Sequence, residues 1–107
     1  MWEEKLKVYD LLVAKCDRFE RKGKTMPYTS ANGHMFSLFN KAGEIGIRFS
    51  KEVQKKYLEA FETTLYKSYN SIMHGYILIP ERMWDDLDKL AIYLNESYDY
   101  VMSLPPK

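Results

Sequence analysis

Cysteine is nearly absent from this sequence: Cys16 is the only one among 107 residues. No disulfide can form within the chain, which fits a protein of the reducing cytoplasm. Long apolar runs are also absent, since none approaches the ~20 residues that a membrane-spanning helix needs. Residues 1–5 carry charges typical of a helix and not the apolar segment of a signal peptide. We therefore expect a cytoplasmic protein that does not enter a membrane.

The chain also lacks an excess of charge of either sign. It carries 16 basic and 15 acidic residues, for a formal net charge of +1. Proteins dedicated to nucleic-acid binding usually carry a basic excess on one face, so this balance argues weakly against that role. The length of 107 residues predicts one domain that spans residues 1–107.

Motifs for catalysis or cofactor binding are missing as well. The five glycines are isolated, so the chain has no phosphate-cradling loop and no dinucleotide fingerprint. His34 and His74 do not have the spacing of a zinc motif. Cys16 lies on the apolar stripe of a predicted helix, where a buried structural thiol is the default. The sequence therefore predicts no catalytic residue, cofactor or metal site, and an enzyme would need both histidines in one pocket with a carboxylate.

What the sequence does contain is a clear pattern of strands in residues 24–49. Two turn signals, around Asn32-Gly33 and around residues 40–43, separate strands predicted at 24–30, 34–39 and 44–49. Pro27 cannot donate a ladder hydrogen bond, so the first strand should lie at a sheet edge or have its proline on the open side. In the third strand apolar residues alternate with polar ones, and Gly46 leaves room for a close neighbour or a bulge.

Helical patterns surround this meander. Helices are predicted at 2–20, at 51–61 with Ser50 as N-cap, and at 85–103, and two more strands at 63–66 and 72–79. Residues 67–71 are the predicted connection between those strands, and Pro80 begins a helical turn. The fold class is therefore α+β: a two-layer sandwich in which helices cover one face of a five-stranded antiparallel sheet, in the order α-β-β-β-α-β-β-α.

Aromatic residues are abundant, with nine tyrosines, five phenylalanines and two tryptophans. A domain of this size can bury only some of them, so the others are candidates for a partner surface. Tyr93 and Tyr100 fall off the stripe of the last helix and are candidates for exposure. Methionines near the strands either bind a partner adaptably or fill irregular core space; they are Met26, Met35, Met73 and Met83. The candidate partner surface consists of Tyr93, Tyr100, Lys24, Met26, Tyr28 and His34.

The densest run of basic residues lies at the end of the first predicted helix. One interpretation is that these charges complement the helix dipole and keep the protein soluble, with Gly23 ending the helix. The other is a basic patch that contacts phosphate groups. Asp17 and Glu20 dilute the cluster and favour the first interpretation. The candidate basic patch consists of Lys15, Arg18, Arg21, Lys22 and Lys24.

Several segments together resemble the N-terminal domain of the TfoX family. They are Lys24-Thr25-Met26, residues 32–36 (NGHMF), Gly46-Ile47-Arg48, residues 73–80 (MHGYILIP) and the ending 103–107 (SLPPK). The similarity runs from about residue 21 onward. It implies a two-layer α/β sandwich with an antiparallel sheet, as a stand-alone domain of a family named after bacterial competence regulators.

The resemblance implies no catalytic residue. Where the family often has methionine-phenylalanine-glycine-glycine, this chain has Met26-Pro27-Tyr28-Thr29, so a glycine-lined approach of a partner is not implied there. The second, helical domain of the competence regulators is absent from the chain.

Two functional hypotheses follow. The first is a small non-catalytic binding or regulatory domain that acts through a protein partner or through self-association. The alternative is a nucleic-acid-associated regulator of transcription or competence that uses the basic end of the first helix.

Overall fold

The computed structural model of the chain describes residues 2–68 and 70–107. The predicted α+β order is confirmed, with five antiparallel strands in one sheet and three helices. A short 3-10 turn, Glu81–Met83, follows Pro80 as predicted. The elements are α1 (Trp2–Ala14), β1 (Tyr28–Ala31), β2 (His34–Phe39), β3 (Ile45–Arg48), α2 (Lys51–Ala60), β4 (Leu65–Ser68), β5 (Ser71–Ile79) and α3 (Leu87–Met102).

The sheet has the strand order β1-β2-β3-β5-β4. The first three strands form the predicted meander, and β1 lies at the edge, directly after Pro27. Asn32 and Gly33 connect β1 to β2 with φ angles of 57° and 81°, as a tight turn with two left-handed residues requires. Local sequence signals therefore predict three of the five strands and their order.

A bulge interrupts the alternation of side chains along β2. The register between β1 and β2 shifts by one residue, so that Phe36 is an extra residue on β2. Phe36 and Ser37 consequently both face the helices, where the Ser37 hydroxyl lies 2.6 Å from the Tyr9 hydroxyl. Met35 and Leu38, three residues apart, lie together on the opposite face.

The main core lies between the sheet and the helices. Ile45, Ile47 and Phe49 of β3 face it in the predicted alternation, and all three are buried. The predicted stripes of the first and last helices pack against them, and α2 contributes Tyr57. Helices therefore cover one face of the sheet, as burial of a single apolar sheet face requires.

The first helix is shorter than predicted. It ends at Ala14, and the basic residues that follow do not belong to its last turn. Beyond it, Cys16 is buried, and the Phe19 ring lies between Phe36 and Tyr98, with centroids 4.9 Å and 5.3 Å away. The chain leaves the helix because this packing outweighs local helix propensity, so neither the helix dipole nor Gly23 explains the end of α1.

Other boundaries differ by one to four residues. The β1 strand begins at Tyr28, later than predicted, and β4 occupies Leu65–Ser68, two residues later than predicted. The predicted connection 67–71 contains Tyr69, which lies outside the described residues. Ser50 caps α2 as predicted, and Asp86 caps α3 by accepting a hydrogen bond from the Lys89 backbone N–H, so α3 begins at Leu87, two residues later than predicted.

Candidate functional site

A second apolar cluster occupies the face of the sheet that the helices leave open. Leu38, Tyr66 and Tyr76 are its buried members, and no residue of a described helix belongs to it. The partly buried residues packed around these three are Met26, Tyr28, Met35, Met73 and Leu78. A sheet with one solvated face usually alternates apolar and polar residues, so this apolar open face is the unusual feature of the fold.

The ring of Tyr66 is the central element of the open face. It lies over Gly46 of β3, where an added Cβ atom would come within 2.4 Å of the ring atoms Cγ and Cδ2. The single proton of its hydroxyl is shared between the carbonyl oxygens of Glu44 (2.9 Å) and Leu38 (3.2 Å). The prediction that Gly46 admits a close neighbour is therefore confirmed. The Tyr66 side chain also connects β4 to β2, which are not adjacent in the sheet.

Tyr76 of β5 likewise reaches over β3 to contact the backbone of β2. Its hydroxyl donates a hydrogen bond of 2.7 Å to the carbonyl oxygen of Met35. Burial raises the pKa of Tyr76 to about 12, although Arg48 opposes the rise. Burial also raises the pKa of Tyr66 above its usual range, and the charge of Glu44 adds to this. Both phenols are thus held in their neutral, donating form.

These buried phenols predict that the protein loses stability in alkali. An unfolded tyrosine ionises near pH 10, whereas the folded pKa values of Tyr66 and Tyr76 are higher. The native state therefore retains protons that the unfolded state loses, and the stabilisation present below pH 10 declines as the pH rises toward 12. Urea unfolding across this range should show the decline, and Tyr76→Phe should make it shallower. A constant free energy of unfolding would contradict the prediction.

Beside these tyrosines lies an open apolar groove of about 380 Å³. Three of its six lining residues are methionines, contributed by β2, β5 and the segment before β1. Methionine side chains are flexible and polarizable, so they adapt to partners of different shape. We call this feature the methionine groove; it is lined by Met26, Tyr28, Met35, Leu38, Ser68 and Met73.

Ser68 is the exception in this apolar lining. The residue is only 7% exposed, and its Oγ atom has no hydrogen-bond partner among the described residues. A buried hydroxyl without a partner is destabilising by about 1–3 kcal/mol, so natural proteins rarely contain one without a reason. The Ser68 hydroxyl is thus an unsatisfied polar group in the wall of the groove.

A polar cavity of about 300 Å³ adjoins the methionine groove and shares Met26 and Ser68 with it. Asn40 organises this cavity: its side-chain Nδ2 donates hydrogen bonds to Glu44 Oε1 (3.1 Å) and to the Lys67 carbonyl oxygen (2.9 Å). The residues that line the polar cavity are Met26, Asn40, Lys41, Ala42, Glu44, Lys67, Ser68 and Asn70.

The structure brings together two members of the predicted partner surface, Met26 and Tyr28, which both line the methionine groove. Lys24 is exposed two residues before Met26. His34 is not in the groove; its Nε2 atom lies 2.9 Å from the Pro105 carbonyl oxygen. The structure therefore shows where these residues lie, and their role in binding a partner stays a prediction.

The expected exposure of Tyr93 and Tyr100 is wrong. Both side chains are partly buried and pack against the main core. The Tyr93 ring contacts Tyr57 and Phe61, with centroid distances of 5.1 Å and 4.9 Å. Tyr100 lies under the Arg48 guanidinium at 5.6 Å. The helix stripe is wider than predicted because α2 and Arg48 also pack on α3.

Acidic residues neutralise most of the candidate basic patch. Lys15 pairs with Asp88 (2.8 Å), and Arg18 pairs with Asp99 (2.8 Å). Arg21 forms a bidentate hydrogen-bonded pair with Asp10. Lys22 Nζ lies 3.4 Å from Ser30 Oγ, and Lys24 is exposed. Three of the five basic residues thus connect the segment after α1 to the helices and do not form a free cationic surface.

The two histidines, His34 and His74, do not line a common cavity among the described residues. His74 lines a cavity of about 360 Å³ together with Arg48 and Lys51, and neither His34 nor a carboxylate is among its lining residues. Within residues 2–68 and 70–107 no group of three or more His, Cys, Asp or Glu side chains could hold a metal ion. Cys16 is buried as expected, and burial raises the pKa of its thiol.

Comparison with protein families and with curated proteins identifies no relative of this chain. No protein-family model matches the chain, and no curated protein matches it in sequence. The resemblance to the TfoX N-terminal domain therefore stays a prediction. The described residues also contain no helix of the length and apolar character that a bilayer crossing demands.

Proposed function

We propose that this chain is a small, non-catalytic binding or regulatory domain of the cytoplasm that acts through a protein partner. An apolar side chain of the partner occupies the methionine groove. The observation that carries the proposal is the buried Ser68 hydroxyl, which lacks a partner in a groove that is otherwise apolar. Binding sites commonly combine an apolar lining with a few polar groups that orient the occupant.

The chemistry of the groove favours binding over catalysis. A serine nucleophile needs an adjacent base to accept its proton, and no described side chain hydrogen-bonds to the Ser68 hydroxyl. The other polar lining group is the phenol of Tyr28. The resemblance to a stand-alone TfoX N-terminal domain supports the same proposal, because that family brings no catalytic residue.

The structure favours a protein over a nucleic acid as the partner. Affinity for nucleic acid depends on unpaired lysine and arginine side chains that replace counterions. Three residues of the candidate basic patch already have acidic partners. The methionine groove itself offers an apolar lining that phosphates would not contact.

Capture from a native cell extract with matched variants tests the proposal. Met73→Glu places a charge in the groove, whereas Ile72→Glu changes the neighbouring residue, which is 47% exposed and does not line the groove. Proteins retained by the unmodified chain and by Ile72→Glu should be lost with Met73→Glu, in the presence of nuclease. Both variants should unfold in urea within ~1 kcal/mol of the unmodified chain.

Two other outcomes would redirect the proposal. A set of captured proteins that survives Met73→Glu unchanged would contradict a role for the groove, and one that disappears with nuclease would favour the nucleic-acid alternative. Self-association through the groove would appear in light scattering as a dimer that Met73→Glu dissociates and Ile72→Glu does not.

A further inference from the structure

The methionine groove and the polar cavity are neighbouring parts of one surface. Met26 and Ser68 line both, so an occupant of the groove extends naturally into the polar cavity. Successive residues of an extended peptide advance by ~3.3 Å with side chains on alternate sides. A short extended segment therefore reaches from one cavity into the other, with its backbone near Ser68.

The charges of the polar cavity are unbalanced. Lys41 and Lys67 are exposed, and neither forms an ion pair with any residue in the described ranges. The one carboxylate in the lining, on Glu44, already accepts a hydrogen bond from Asn40 Nδ2. The lining thus includes two lysines without an ion pair and one partly satisfied carboxylate, a net positive charge that complements an anionic group.

We infer that the protein segment bound here is extended and acidic, with an apolar side chain followed closely by a carboxylate. The apolar side chain fills the methionine groove, the Ser68 hydroxyl donates a hydrogen bond to a backbone carbonyl oxygen of the segment, and the carboxylate lies near Lys41 and Lys67. This inference rests on the proposed function and specifies the chemistry of the partner.

The shape of the site favours a peptide segment over a small molecule. Sites for drug-sized ligands enclose 70–90% of the ligand surface in cavities of roughly 300–1,000 Å³. The methionine groove is near the lower end of that range, at about 380 Å³, and lies open on the outer face of a sheet. It accommodates an inserted side chain while the rest of the segment stays on the surface.

A random-peptide display selection on the full chain tests the inference. Enriched peptides should share an apolar residue with Asp or Glu within one to three positions. The double variant Lys41→Glu, Lys67→Glu should lose this acidic preference, whereas Lys55→Glu, on the exposed face of α2, should retain it. Changing the acidic residue of a selected peptide to its amide should weaken binding ~5-fold, and added salt should reduce that difference.

Ser68→Ala provides a separate measurement. The hydroxyl has no partner in the described part of the chain, so its removal should leave the urea midpoint unchanged or higher. Affinity for a selected acidic peptide should nevertheless fall ~5-fold, the effect of one lost hydrogen bond. Unchanged affinity would overturn the role of Ser68.

The outcomes separate the inference from the proposed function. Enriched apolar peptides without an acidic preference, which bind the unmodified chain but not Met73→Glu, would overturn the inference and leave the proposed function intact. Enrichment that is no stronger on the unmodified chain than on Met73→Glu would overturn both.

Discussion

Replacing Gly46 by alanine should destabilise the native state by about 3 kcal/mol, because the sheet has no space for a methyl group there. The new Cβ atom would lie 2.4 Å from two atoms of the Tyr66 ring, far inside the 3.5–4.0 Å at which carbon atoms attract each other. Displacing the ring would cost further free energy, because its hydroxyl hydrogen-bonds to the backbone carbonyl oxygens at Leu38 and Glu44. Urea unfolding monitored by circular dichroism measures the loss.

A double-mutant cycle provides the control for Gly46→Ala. Tyr66→Ala alone is expected to be costly, because a fully buried side chain leaves a cavity. In that background the Gly46→Ala substitution should cost less than ~1 kcal/mol, since the ring that it would strike is gone. If the two effects simply add, the contact between Gly46 and Tyr66 does not limit residue size at this position.

Ser97→Leu should also destabilise the protein by about 3 kcal/mol. Ser97 lies on α3, is fully buried, and faces the sheet. Its hydroxyl lies within hydrogen-bond distance of the carbonyl oxygens of Phe36 on β2 and Arg48 on β3, which share its single proton. A leucine side chain would force α3 away from β2 and β3 and would remove this shared hydrogen bond.

Ser97→Ala separates these two effects. It removes the hydroxyl without adding volume, so we expect a loss of about 1–2 kcal/mol. The thermal midpoint should therefore be highest for the unmodified protein, lower for Ser97→Ala and lowest for Ser97→Leu. A leucine variant as stable as the alanine variant would show that the contact between α3 and the sheet can expand.

Local sequence signals predicted most of the fold. The Asn32-Gly33 turn, the Ser50 cap and the alternation in β3 each depend on residues close together in the chain, and all three are confirmed. The end of α1 was predicted wrongly because basic residues and Gly23 form a plausible helix terminus. The actual end depends on the packing of Phe19 against Phe36 and Tyr98, which lie far away in sequence.

The candidate site was less predictable than the fold. Met26 and Tyr28 belong to the predicted partner surface, whereas the sequence identifies Met35 and Met73 only as methionines near strands. Strict alternation along β2 would place Met35 and Leu38 on opposite faces, and the bulge at Phe36 places them together. The missing hydrogen bond of Ser68 has no signature in the sequence.

The packing of α1 against α3 has a consequence for how the chain folds. Arg18, in the segment just after α1, and its partner Asp99 of α3 are 81 positions apart, whereas neighbouring strands of the meander are joined by tight turns. Contacts of such large sequence separation slow folding, because a long loop must close before they form. During synthesis the meander can pair early and pack against Trp2 and Tyr9 of α1, but the contacts of α1 with α3 form only after α3 has left the ribosome. The first helix to be made is therefore the last to complete its packing.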